Sequence, residues 1–180
     1  IIDIALPLIL DADALNILAS DPALQENVQA RTAPTILTPH NGEASRLLTL
    51  SSGDIHNDPL NATRLLATLF SAIVLLKGSR SIISSPNQSI WVSTSGNPGM
   101  ATGGSGDVLS GILAAIIHQF GIENGVKLGC FAHGLSGDLA TIMVGQDGLS
   151  PLDIIDHFPQ SIATIRRQQW LYRPALIETL

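Results

Sequence analysis

The chain has 180 residues, 45% of them hydrophobic and 13% charged, which suits one folded domain and excludes an intrinsically disordered segment. Nine Lys and Arg against fifteen Asp and Glu give a net charge of −6, so no basic face for nucleic acid is expected. Cys130 is the only cysteine, which excludes an internal disulfide and is compatible with a reducing cytoplasm, and no apolar run approaches the roughly 18 residues that cross a bilayer.

Residues 4–10 (IALPLIL) read as a buried strand ending at Asp11. Asp11 or Asp13 can then cap a helix whose apolar positions are Ala14, Leu15, Ile17 and Leu18. Residues 35–38 (TILT) form a second short strand, stopped by Pro39, with a helix from about 43 to 50. A helix is predicted over 59–70, carrying Leu60, Leu65, Leu66, Leu69 and Phe70, and residues 72–76 (AIVLL) read as a β-branched strand. Two antiparallel strands, 81–84 and 89–93, flank a turn at Pro86-Asn87. A Gly/Ser/Pro-rich loop over 95–104 leads into a helix from Ser105 to about His118, with an apolar face of Val108, Leu109, Ile112, Leu113, Ile116 and Ile117. Gly121 ends it. A second helix over about 124–144 is rich in Gly, Ala and Ser, which permits close helix packing, and a last helix spans about 152–169.

Strands alternating with helices imply an α/β fold with a mostly parallel sheet flanked by helices. Ligands in such sheets sit at the carboxyl ends of the strands. Asp11, His40 and Lys77 each follow a strand directly and are expected to converge there.

Four segments can carry chemistry. In NPGMATGGSGD (97–107), glycines let main-chain amides turn towards one point at a helix start, where they and the helix dipole favour a phosphate. A carboxylate repels a phosphate, so Asp107 makes sense beside that loop if it takes a proton from an attacking hydroxyl; an ordinary first-turn acid after a tight turn is the competing explanation. The loop is not a Walker A motif, which would continue Gly-Lys-Ser/Thr, nor a dinucleotide fingerprint, since Leu109 takes the third glycine position. In TPHNGE (38–43), His40 can donate to a substrate oxygen and Glu43 can hold a magnesium-bound water, or the pair can be a surface His and a helix-capping Glu. Lys77-Gly-Ser-Arg-Ser81 can reach phosphates or be a solvated basic turn. Asp11 in LDADALN (10–16) can face a substrate or metal, or cap a helix. His133 and Cys130 read as buried helix residues, His56, His118 and His157 as surface, and Trp170 and Tyr172 as packing aromatics.

Taken in order, LDADALN (10–16), TPHNGE (38–43), LLKGS (75–79), NPGMATGGSGDVLSG (97–111) and HGLSGD (133–138) resemble the ADP-dependent NAD(P)H-hydrate dehydratases of the ribokinase-like superfamily, from about Leu8 to Ala163. The resemblance implies an enzyme that uses ADP to phosphorylate the hydroxyl of hydrated NADH or NADPH and then eliminates phosphate to restore the ring. It implies Asp107 as base, Gly103, Gly104, Ser105 and Gly106 as the anion hole, and Lys77, Gly78, Ser79, Arg80, Ser81 and Gly106 as adenine-nucleotide contacts. His40 and Asp107 would contact the hydrated dinucleotide, and Glu43 would stand at the acidic position that related kinases associate with Mg²⁺. Asn41 stands where the family often has Pro. The family domain has a further N-terminal portion, so residues 1–180 are expected to be the C-terminal portion of one nucleotide-binding domain whose parent can carry an epimerase domain upstream. A cytoplasmic location, a homo-oligomer and an exposed apolar edge are expected with it. Two other readings are a vitamin-precursor alcohol kinase of the same superfamily and a nucleotide-binding fragment without catalysis.

Overall fold

The computed structural model describes residues 2–86 and 88–167. Five strands form one mixed sheet in the order β1-β2-β3-β4-β5: β1 (Leu8–Leu10), β2 (Thr35–Leu37), β3 (Ile73–Leu76), β4 (Ile82–Ser84) and β5 (Trp91–Val92). The pairings β1–β2 and β2–β3 are parallel, and β3–β4 and β4–β5 antiparallel. Three parallel strands thus carry the antiparallel hairpin expected at 81–84 and 89–93, in one mixed sheet flanked by helices.

Alternation along the strands divides the core. Leu37, Val74, Leu76 and Ile82 point to one face. There they meet α1 (Asp13–Ser20), α2 (Pro22–Gln29), α3 (Asn41–Leu48), α4 (Ser52–Asn57) and α5 (Pro59–Phe70), through Leu15, Leu18, Val28, Leu47, Ile55, Leu66 and Phe70. Ile36, Ile73, Leu75 and Ile83 point the other way, against α6 (Ser105–Phe120) and α7 (Ile122–Val144), through Leu109, Leu113, Ile117, Val126 and Cys130. The last helix, α8 (Pro151–Arg166), packs on α7 rather than on the sheet, around Ala140, Leu149 and Ile154. No described helix is long and apolar enough to cross a membrane.

Two helices are additional to the sequence reading. α2 starts on Asp21, whose carboxylate accepts from the Leu24 N–H, followed by Pro22 in the first turn. α4 starts on a Ser51/Asp54 capping box. The first strand is shorter than predicted. Pro7 has no N–H to give a ladder, so pairing begins with Leu8, whose N–H donates to the Pro34 carbonyl at 3.0 Å, and Ile4 and Leu6 lie exposed instead of buried. Neither acid caps α1 with its side chain: the cap position is Ala12. The turn at Asn87, the end of the predicted last helix at 168–169, and Trp170 and Tyr172 lie outside the described residues.

The small residues of α7 are packing devices. A Cβ on Gly125 would lie 2.6 Å from the Ile117 Cα, and one on Gly129 would lie 2.9 Å from Leu113 Cδ2, so α6 and α7 meet nearly backbone to backbone. Gly125→Ala is therefore expected to lower stability by about 1–3 kcal/mol. Gly111→Ala, on the exposed face of α6 with nothing within 4 Å of the added carbon, is expected to raise it by about 0.5–1 kcal/mol. Urea unfolding of both variants checks the contrast.

Candidate functional site

The carboxyl ends of β1, β2 and β3 deliver three polar residues to one place. Asp11 directly follows β1, and the next residue, Ala12, has φ 48°, a left-handed backbone that turns the chain sharply there. Past β2 and β3 the parallel pairing continues as a bridge between His40 and Lys77, with the Lys77 N–H donating to the Pro39 carbonyl at 2.7 Å. Lys77 Nζ lies 2.5 Å from Asp11 Oδ1, and Ser110 Oγ of α6 donates to Asp11 Oδ2 at 2.7 Å. Burial alone would push the Asp11 carboxyl up, but the hydrogen bonds from Lys77 and Ser110 and the Lys77 charge outweigh it and hold the group below its ordinary value. The predicted convergence is thus present. Asp11, the possible cap, instead ties together β1, β3 and α6.

Lys77 leads to α6. A Cβ on Gly106 would lie 3.5 Å from Lys77 Nζ, so the ammonium sits beside the first turn of that helix. α6 begins on Gly104, at φ 92°, with no side-chain cap. By contrast, α2, α3, α4, α5 and α8 are each capped by a side chain. The Gly106 and Asp107 amides find no acceptor among the described residues. The Ser105 amide differs: it donates to the Thr102 carbonyl at 3.3 Å, so of the expected anion hole Gly103, Gly104 and Gly106 are the more open members. Asp107, the third residue of the helix, is exposed and has no ion pair or hydrogen-bond partner among the described residues.

A cavity of about 870 Å³ opens beside this helix end, within the range of small-molecule sites. Its wall includes His40, Lys77, Gly78, Ser79, Ser81, Ser105 and Gly106. Arg80 is exposed, and neither it nor Asp107 is part of that wall. His40 is half exposed and caps α3: its Nδ1 accepts from the Gly42 N–H at 2.9 Å and the Glu43 N–H at 3.3 Å. Glu43 is buried at 4% exposure. One of its oxygens accepts from the His40 N–H at 2.8 Å, and the other is 3.3 Å from His40 Nε2. The capping box therefore engages both oxygens of Glu43.

The floor of the cavity holds two titratable groups. Burial pushes the Cys130 thiol up to about 11, despite hydrogen bonding to Ser93 and Ser81, which makes it an inert packing group. His133 lies 3.1 Å from the Ser105 carbonyl through Nε2. Burial lowers its pKa to about 4, only partly offset by that bond. Of the other histidines, His56 and His118 are exposed as expected, whereas His157 is half-buried with Nδ1 2.8 Å from the Asp153 carbonyl. Sequence reasoning assigned no role to Asp138, which accepts hydrogen bonds from Gly96 and Asn97; its place in HGLSGD, on the same small-residue helix face as Gly134, was the available signal.

The model of the family described as NAD(P)H-hydrate dehydratase matches residues 1–160. The chain belongs to that family. It is 42% identical over 161 residues to the bifunctional NAD(P)H-hydrate repair enzyme Nnr of Thermofilum pendens, a match covering 89% of this chain and 30% of that protein. It is 41% identical over 134 residues to the ADP-dependent (S)-NAD(P)H-hydrate dehydratase of Neisseria meningitidis, covering 74% of this chain and 45% of the relative. The chain thus spans less than half the length of these two relatives. Among solved structures it is similar to the ADP/ATP-dependent NAD(P)H-hydrate dehydratase of Bacillus subtilis co-crystallised with ATP and Mg²⁺, at a TM-score of 0.77 and 27% identity, over 87% of this chain and 54% of that one. The fold is accordingly the ribokinase-like dehydratase fold, and the uncapped α6 lies within the part of the chain that the family model matches.

The buried imidazole of this dehydratase-family chain has a readable consequence. The unfolded chain takes up the His133 proton near 6.5, the folded chain only near 4. Protons therefore favour unfolding between those values: the full benefit of a neutral His133 is present above about 6.5 and is lost as pH falls towards 4. The loss amounts to roughly 3 kcal/mol. His133→Gln keeps a donor for the Ser105 carbonyl but does not titrate, so its stability, measured by urea unfolding at about pH 7 and about pH 4.5, is expected to fall less across that interval.

Proposed function

We propose that the whole protein, of which this chain forms part, dehydrates NAD(P)H hydrate at the expense of ADP. The observation that carries the reading is the front of α6. Free amides at Gly106 and Asp107, an uncapped helix dipole and the Lys77 ammonium all favour an anion at one point, beside a cavity large enough for a nucleotide. The relatives named for ADP-dependent dehydration supply the reaction.

In this reading the cavity takes the adenine nucleotide, with Lys77, Gly78, Ser79 and Ser81 along its wall and the terminal phosphate at the α6 amides. Arg80, outside that wall, is left to the rim. Asp107 takes the proton of the hydroxyl on the hydrated nicotinamide ring. The oxygen attacks the β-phosphorus of ADP, the bond to the bridging oxygen breaks, and AMP leaves. The carbon–oxygen bond of the phosphorylated ring then breaks, phosphate departs with the electron pair, and a ring proton is lost as the double bond returns. The amides stabilise charge on the transferring phosphoryl group, and Asp107 supplies the base; hydroxide is the poorer leaving group and phosphate the better one. His40, on the cavity wall with Nδ1 accepting from its own helix and Nε2 beside Glu43, meets the hydrated dinucleotide with its exposed ring edge in this reading.

The described residues supply no magnesium site built of protein ligands alone. No three His, Cys, Asp or Glu side chains converge among the described residues, and Glu43 is closed on His40. A cytoplasmic location, a homo-oligomer and an upstream epimerase domain belong to the same proposal. The bifunctional relatives support the last of these.

Incubating the full-length protein with hydrated NADH and ADP is expected to restore the NADH absorbance band with release of AMP and phosphate. Asp107→Asn should lower turnover by about 10²–10⁴-fold while ADP affinity, read by calorimetry, stays within about threefold. Full turnover in that variant would remove Asp107 as the base.

A further inference from the structure

Asp138 neither lines the cavity nor takes part in the chemistry proposed above, yet its carboxylate is fastened to the cavity wall. Its Oδ2 accepts from the Gly96 N–H at 2.9 Å and its Oδ1 from Asn97 Nδ2 at 2.9 Å; Asn97 Oδ1 in turn accepts from the Gly99 N–H at 3.0 Å. Gly96, Asn97, Pro98 and Met100 all line the cavity. We infer that Asp138 is a positioning residue: it latches the 95–100 loop onto α7 in the shape that receives the nucleotide. This rests on the reading that the cavity takes an adenine nucleotide.

Two features make the latch specific. The first is the flatness of the α7 face beneath it. A Cβ on Gly134 would lie 2.3 Å from Ser95 Oγ, and one on Gly137 would lie 2.4 Å from Met100 Sδ, so the loop lies directly on the helix backbone. Ser95 Oγ adds a hydrogen bond to the Phe131 carbonyl at 2.8 Å, one turn earlier on the same face. The second is the direction of the hydrogen bonds. An ionised carboxylate can only accept, so it suits a site where an amide N–H and an amide NH₂ arrive together. The chain of bonds Asp138–Asn97–Gly99 has a fixed donor-to-acceptor order, and the order can be reversed at two residues without altering the shape.

That reversal is the test. In Asp138→Asn one arriving donor meets an NH₂ group; in Asn97→Asp two carboxylates face each other. In the double variant, the new amide at position 138 accepts from the Gly96 N–H through its oxygen and donates through its NH₂ to the new carboxylate at position 97. That carboxylate still accepts from the Gly99 N–H. Each single change is expected to weaken ADP binding about tenfold and to speed hydrogen exchange at the Gly96 amide, and the double change to return both to within about twofold of the original. Calorimetry with ADP and amide exchange by NMR, at a temperature where circular dichroism shows every variant folded, read these effects. A contribution to stability alone would lower the melting temperature and leave the affinity of the folded protein unchanged, which would overturn the inference. So would a double variant no better than the worse single one. If the unsubstituted protein bound no ADP, the nucleotide reading would fail and the latch's role with it. If it bound ADP but the reversal rescued nothing, only the latch would fail.

Discussion

Helix α6 begins on a glycine, a residue with no side chain to offer its own first-turn amides. Sixteen residues of aligned peptide dipoles therefore present an end at which the Gly106 and Asp107 amides find no acceptor among the described residues. Every other feature of the site bears on that end. Lys77 stands beside it, Asp11, itself held by the Ser110 hydroxyl, pairs with the Lys77 ammonium, and His133 is tied to the Ser105 carbonyl beneath it. An anion placed there would satisfy amides that otherwise face solvent, while Asp107 on the same turn prevents the position from being a simple phosphate trap.

Holding such an end in place needs rigid support, and α7 supplies it through what it lacks. Glycines at 125 and 129 let α6 come close, and glycines at 134 and 137 let the cavity loop lie flat. The same helix thus sets the position of the anion-facing turn and of the opposite wall. Because interiors are close-packed, a single methyl group at 125 or 134 displaces backbone and not just a flexible side chain. The tight α6–α7 pair also buries Cys130 and His133 deeply enough to move both away from their ordinary titration, which keeps the cavity floor uncharged near neutral pH.

Much of this was legible in the residues. The glycine run before an apolar-faced helix announced an open helix start, and Asp11, His40 and Lys77 stood directly after strands. Short polar spacings were less informative. His40 and Glu43 could be read as a binding pair or as a capping box; they form the box, because a buried carboxylate is cheapest where backbone and imidazole donors already wait. Pro7 shortened the first strand because a ladder cannot use a residue without an N–H. The α2 and α4 helices escaped because both are short, and their starts are marked by caps more than by periodicity.

The primary structure by itself determined most of the elements and the family, since periodicity, glycine placement and cap residues are local properties of the chain. Only the tertiary structure decided which polar groups are engaged. Asp11 meets Lys77 across 66 residues and Ser110 across 99, and Asp138 meets Gly96 across 42. Whether a carboxylate caps a helix, pairs with an ammonium or latches a loop depends on which donors the fold brings within hydrogen-bonding reach, and donors that distant along the chain leave no local pattern in it.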